Sequence, residues 1–360
     1  MHEAAPRLPG DCFLRLAASG AGVPIATDLV LQERDSPEAV RADGRRLAAV
    51  VCEAAQRWRT PLAIPLMDLR LEKEDLVSAL RPEAAQPEGF QFDRPPTDED
   101  LARAAAPADT AFLPRQKAQL ESVALVADRP DLVPMGMTIG PFSLTTRLMA
   151  DPIAAMAFSG HGVLAEDEPL VATLERCLVL AERAVHRSLR AQLAAGATAV
   201  IVCEPAVSTA FLSPRQIEAG SDVFERLAME PLSRVKARLD QAGALLFLHD
   251  CGELTTSMVA ALATRLRPAV LSLGSSRRLW EDAAVVPADV VLYGNLPTRH
   301  FHSDETLPLE RVREMARELV SRMRASGHPF ILGSECDVLD VPGAGATIRR
   351  KVEAMLAEPA

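Results

Sequence analysis

The sequence predicts an α/β chain: a (β/α)8 barrel of the TIM type preceded by an N-terminal helical extension. Three observations predict it. From about residue 195 onward, short apolar runs rich in β-branched residues alternate with longer amphipathic stretches. The runs are apolar at consecutive positions rather than at every second one, as strands covered on both faces of a parallel sheet must be. The length of 360 residues suits one large domain of this kind with an addition. A doubly wound open sheet is the alternative.

In chain order, residues 1–58 form the extension, with a helical period from about Ser36 to Trp58 that packs beside the barrel. Residues 59–360 form the barrel itself. Apolar runs at 61–67 and 132–139 supply two early strands, and 197–204, 244–249, 269–273, 289–294 and 329–333 supply five more. Helical patterns at 221–242, 254–266, 277–283, 308–326 and 344–357 fill the crossovers and close the chain. Seven strands are legible, and no run stands out as an eighth. Residues 81–110 combine Pro, Ala and acids without a sustained period, which marks an irregular excursion. Such a segment is either a surface loop or a lid or partner-docking element.

Composition excludes several classes. Apolar residues make up 48% and charged residues 24%, the balance of a globular chain with a substantial core. No stretch approaches the roughly 18 uncharged apolar residues of a membrane span. The start, Met1-His2-Glu3-Ala4, lacks the basic and apolar pattern of a secretory leader, so the expected location is the cytoplasm. The net charge of −10 argues against nucleic-acid binding. Only Lys73, Lys117, Lys236 and Lys351 of the 39 basic residues are lysines. The six cysteines, at 12, 52, 177, 203, 251 and 336, are too widely spread for a small disulfide scaffold.

Two of those cysteines are candidate metal ligands, the alternative being that they are simply buried thiols of the core. His249-Asp250-Cys251 follows the run ALLFL, and residues two apart on an extended segment project to the same side. Cys336 follows another predicted strand, FILGSE. Both positions fall at the C-terminal ends of parallel strands, where barrel enzymes place their active sites. One imidazole and two thiolates suit zinc, and three protein ligands leave a fourth position open, as catalytic zinc requires.

Several ordered segments resemble the uroporphyrinogen decarboxylase superfamily, in its branch of corrinoid-dependent methyltransferases. They are GPFSLTTRLM at 140–149, ATAVIVCEPAVSTAFLSPRQ at 197–216, FLHDCGE at 247–253, VVLYGNLP at 290–297 and ILGSECDVLDVPG at 331–343. The resemblance runs over about 55–360, loosely before 130. It implies that His249, Cys251 and Cys336 bind zinc, and that a methyl group moves between a corrinoid and a thiol or related acceptor such as coenzyme M or tetrahydrofolate. The direction of transfer stays open. No Asp-x-His-x-x-Gly stretch is found, so the methylcobalamin-type cofactor is expected on a separate corrinoid protein. The family includes monomers and dimers, which leaves a homodimer open. Two departures stand out: an arginine-rich motif resembling RQAGR is not found, and Glu204 stands where relatives carry Asp in the turn after the third strong strand. The alternatives are a metal-free decarboxylase and a non-catalytic partner of a corrinoid protein.

Further candidates line the expected rim. Glu72 and Glu74, in LRLEKED after the first strand, are candidate zinc ligands, since similar glutamates follow the first strand in relatives. Glu204 and Asn295 end strands and are candidate catalytic residues, while Ser208 and Tyr293 are candidates to line a cofactor pocket. Glu335 should project away from Cys336 if the segment stays extended, and Cys203 should point opposite to Glu204 into packing. His300 and His302, flanking Phe301, read as surface histidines.

Overall fold

Seven parallel strands follow one another across a single curled sheet in the order of the chain. They are β1 (Leu62–Ala63), β2 (Val133–Ile139), β3 (Ala199–Cys203), β4 (Leu245–Asp250), β5 (Val270–Leu273), β6 (Val291–Leu296) and β7 (Phe330–Ser334). The computed structural model describes residues 10–105 and 112–357. Helices Pro169–Ala194, Glu230–Ala242 and Leu309–Ser326 form crossovers, and Gly345–Leu356 follows β7. The expectation of a parallel α/β sheet therefore holds, with all seven runs present as strands.

Both faces of the sheet are buried, which is why its runs read as continuously apolar. Alternate residues of the strands, among them Met135, Met137, Ile201, Cys203, Phe247, Val270, Val291, Tyr293 and Ile331, gather into one cluster on the concave side. The intervening residues, such as Val200, Val202, Leu246, Leu248, Leu271, Leu292 and Leu332, pack against the helices. The concave cluster also takes in Phe13, Val23 and Ile25 from the N-terminal region.

That N-terminal region touches both edges of the sheet. Val23 forms a parallel bridge with Gly333 on β7, and its N–H donates to the Leu332 carbonyl at 2.8 Å. Four residues on, the Thr27 hydroxyl donates to the carbonyl of Ile64, just past β1, at 2.7 Å.

Two local differences from the sequence expectation have simple causes. β1 covers only two residues of the run 61–67, because Pro61 and Pro65 have no N–H to give to a ladder. The helix expected over 36–58 is two helices, Pro37–Arg41 and Gly44–Arg57, since the Asp43 side chain accepts from the Arg46 N–H and starts a new one. The longest helix, Pro169–Ala194, buries Leu174, Leu178, Ala181, Val185 and Leu189 at intervals of three and four.

The excursion at 81–110 is anchored in its described part, up to residue 105. Arg81 pairs with buried Asp100 and lies over the rings of Phe90 and Phe92 at 5.7 and 5.5 Å. Phe92 in turn exchanges backbone hydrogen bonds with Leu148 and Ala150. Among the described residues no helix is long and apolar enough to cross a membrane.

Candidate metal centre

The register of the sheet sets one row of side chains across four strands: Cys203 opposite His249, His249 opposite Ser272, and Ser272 opposite Tyr293. His249 shares the concave parity of Phe247, two residues before it, and is 1% exposed. Its Nδ1 lies 2.8 Å from the Ser272 hydroxyl. Its Nε2 is buried with no protein partner. The tautomer with the proton on Nδ1 donates to Ser272 and leaves the Nε2 lone pair for another acceptor of electrons.

Facing that nitrogen are two thiols from different strand ends. Cys251 follows β4, where Asp250 Oδ1 accepts from the Gly252 N–H at 2.9 Å and shapes the turn. Cys336 follows β7. Ligand atoms of His249, Cys251 and Cys336 all lie within 4.8 Å of one another. The closeness of Cys251, together with His249, holds the Cys336 thiol well below the usual thiol range. The same closeness, reinforced by burial, pushes Cys251 up. Gly274, after β5, makes room for this arrangement: a Cβ there would stand 2.6 Å from the Cys251 carbonyl oxygen.

These residues fit a zinc ion. The donor set is one imidazole nitrogen and two sulfurs, which zinc prefers, and a partnerless buried Nε2 is what a ligand position leaves behind. Donors around a tetrahedral zinc stand about 3.5–3.8 Å apart, so closing the triad needs a movement of about 1 Å at most.

The other predicted candidates do other things. Glu72 is buried beneath β2, where it accepts from the hydroxyls of Thr138 and Ser188, each at 2.8 Å, and burial pushes its carboxyl up to about 7. Glu74 lies 3.6 Å from Arg115. Neither joins the triad. Glu204 caps the helix Pro141–Leu148, accepting from the N–H groups of Phe142 and Ser143 at 3.0 and 2.8 Å, and burial raises it to about 7. Asn295 donates to the carbonyls of Gly274 and Arg277 at 2.8 and 2.9 Å, so it orders the loop after β5 beside the centre. The Ser208 hydroxyl turns back to the Ala206 carbonyl at 3.4 Å. Tyr293 is fully buried, its hydroxyl donating to the Val23 carbonyl at 2.7 Å, and burial pushes it up. Cys203 sits in the concave core. His302 is exposed and turns its Nδ1 to the Arg299 carbonyl.

Three residues around the triad escape the sequence reading. Ser272 was signalled only by parity, as the one polar residue in the run AVLSL. Glu335 does turn away from Cys336, but into an ion pair with Arg299, with Nε and Nη2 each 2.9 Å from its oxygens, and a hydrogen bond from Ser275. Burial alone would push Glu335 up, but Arg299 and Ser275 together hold it below the usual carboxylate range. Arg299 and Ser275 carry no local signal in a chain so rich in arginine.

With this geometry in hand, the sequence matches the family model for uroporphyrinogen decarboxylase (URO-D) over residues 25–344. The chain belongs to the URO-D family. The matched span begins at Ile25, inside the N-terminal region that touches β7, and contains all three members of the triad. No curated protein matches this URO-D family member significantly in sequence. Among solved structures, it is similar to a methyltransferase from Methanosarcina mazei at 17% identity, with a TM-score of 0.66 over 96% of this chain and 98% of the other. At that identity the likeness concerns the fold.

Proposed function

We propose that this URO-D family member is a zinc-dependent methyltransferase that moves a methyl group between a corrinoid and a thiol or related acceptor, such as coenzyme M or tetrahydrofolate. The observation that carries the reading is the His249/Cys251/Cys336 triad, with its partnerless Nε2, at the C-terminal ends of β4 and β7. The structural neighbour named as a methyltransferase supports it. We read the scaffold as a (β/α)8 barrel in which residues 23–27, in contact with β7 and with Ile64, take the place of an eighth strand.

His249, Cys251 and Cys336 would hold the zinc, leaving one position for the acceptor. When bound, zinc supplies positive charge that favours an acceptor thiolate over its thiol near neutral pH. The protein's own residues then position and shield. Ser272 fixes the imidazole tautomer, Asn295 and Gly274 order the loop over Cys251, and the concave core beneath keeps water out of the floor. The corrinoid is carried by a separate protein in the cytoplasm.

The test is metal content followed by chemistry. Purified protein should contain about one zinc per chain, and Cys251→Ala should lose it. Loss of methylcobalamin absorbance in the presence of thiols or folates should require the intact triad. A Cys251→Ala protein that transfers methyl at the unaltered rate sinks the proposal, and activity on a carboxylated substrate without metal would replace it with decarboxylation.

A further inference from the structure

A cavity of about 220 Å3 opens on the helix side of the sheet, between the helix Leu309–Ser326 and the short helix Leu279–Asp282. Trp280, Leu296, Pro297, Met315 and Leu319 form its apolar walls. Arg311, Met315, Glu318 and Leu319 reach it from one face of the longer helix, at intervals of three and four. Arg322 steadies the Trp280 wall: it lies over the indole at 5.4 Å and pairs with Glu318 at 3.5 Å. None of the triad residues lines the cavity.

One polar atom faces this apolar space without a partner. Asn295 is 7% exposed, and its Nδ2 donates to the carbonyls of Gly274 and Arg277 at 2.8 and 2.9 Å. Two carbonyls on that side fix the orientation of the amide, so Oδ1 turns the other way. That oxygen accepts from no described residue, and Asn295 lines the cavity. A shielded acceptor without a partner is costly, and a donor on a ligand relieves the cost.

The outer end of the cavity is cationic. Arg278 and Arg311 line it with side chains 69% and 54% exposed. Each is tied to an exposed glutamate three residues on, Glu281 or Glu314, and such pairs contribute little and give way readily. Arg277 is different, its guanidinium being spent on Asp282, Leu254 and Thr256.

We propose that this cavity binds a small aromatic acid bearing a ring hydroxyl. The hydroxyl donates to Asn295 Oδ1, the ring packs against Trp280 and Met315, and the carboxylate lies at the mouth with Arg278 and Arg311. An apolar enclosure with a few polar groups at fixed positions is the usual form of a small-molecule site. This second site stands independently of the metal–thiol reading. It meets the metal centre through Asn295 alone, which orders the loop whose Gly274 stands against Cys251.

The full chain is titrated calorimetrically with three probes: 4-hydroxybenzoate, benzoate, which lacks the donor, and 4-hydroxybenzyl alcohol, which lacks the charge. 4-Hydroxybenzoate should bind about 10-fold more tightly than either of the others, the worth of roughly one hydrogen bond. Met315→Trp, which fills the cavity, should abolish binding. Arg278→Gln/Arg311→Gln alters only exposed positions, so the fold is kept, and it should weaken both acids while sparing the alcohol. Trp58 and Trp280 are the two tryptophans, so in Trp58→Phe protein the emission of Trp280 should follow the same isotherm as the heat. Three results overturn the proposal: no saturable change in heat or emission with 4-hydroxybenzoate, equal affinity for 4-hydroxybenzoate and benzoate, or binding that survives in folded Met315→Trp protein.

Discussion

The Ser272 hydroxyl lies 2.8 Å from His249 Nδ1, on the neighbouring strand and in direct register, so one side chain of β5 decides which imidazole nitrogen meets the thiols. Removing the hydroxyl leaves a buried ring nitrogen without a partner and releases the tautomer. Ser272→Ala should therefore weaken zinc affinity by roughly 10- to 100-fold in a chelator competition. An unchanged affinity would show that Ser272 is packing only.

Glu72 makes stability depend on pH. The unfolded chain ionises this carboxyl near 4.5 and the folded chain near 7, because burial disfavours the charge. The folded state thus holds the proton more tightly. Its contribution is complete below about pH 4.5 and is lost as pH rises to about 7, an effect on the order of 3 kcal/mol. Glu72→Gln should flatten the fall in urea-unfolding free energy between pH 5 and 8, whatever it does to the absolute value. Parallel curves for the two proteins would refute the assignment.

Gly140 and Glu204 should behave as a coupled pair. A Cβ at Gly140 would stand 2.1 Å from the Glu204 carboxyl carbon, in a backbone conformation that any residue can adopt. The clash is steric and falls on a buried carboxyl held by two N–H groups. Gly140→Ala should cost about 2 kcal/mol or more, and Glu204→Ala about 1–3 kcal/mol through the lost cap. In the double variant the added methyl occupies space the glutamate leaves. Its destabilisation should fall short of the sum by about 1 kcal/mol in thermal or urea unfolding.

Tyr293→Phe tests the hold on the N-terminal region. The hydroxyl donates to the Val23 carbonyl in a fully buried setting. Its loss should cost about 1–2 kcal/mol, and hydrogen exchange should quicken at the Val23 amide, which donates to Leu332. Unaltered exchange there would mean the tyrosine does not secure the segment.

What the sequence reveals depends on range. The seven strands are legible because burial on both faces writes continuous apolar runs; the two-residue spacing of His249 and Cys251 at a strand end suggests a site, while Cys336 joins it through the family resemblance. Glu72 and Glu204 illustrate the limit. Each is a conspicuous acid on the expected rim, Glu72 in the first turn of the helix Leu71–Leu80 and Glu204 just past β3, yet their partners are Thr138 and Ser188 in one case and two backbone N–H groups in the other. Direction off the backbone, rather than residue type, separates a rim acid from a buried cap, and that direction is set by tertiary packing. Arg299 is obscure for the opposite reason: nothing in its neighbourhood along the chain hints at Glu335, 36 residues away.

The contact of Val23 with β7 joins positions 310 residues apart. During synthesis Val23 must wait for β7, 310 residues later, before this contact can form. Until then the concave cluster lacks Ile331, and the packing of Val23 and Ile25 within it is incomplete. Such long-range closure slows folding and prolongs exposure to aggregation. The same arrangement makes residues 23–27 and β7 interdependent: a lesion that loosens either one should produce the same loss of soluble protein.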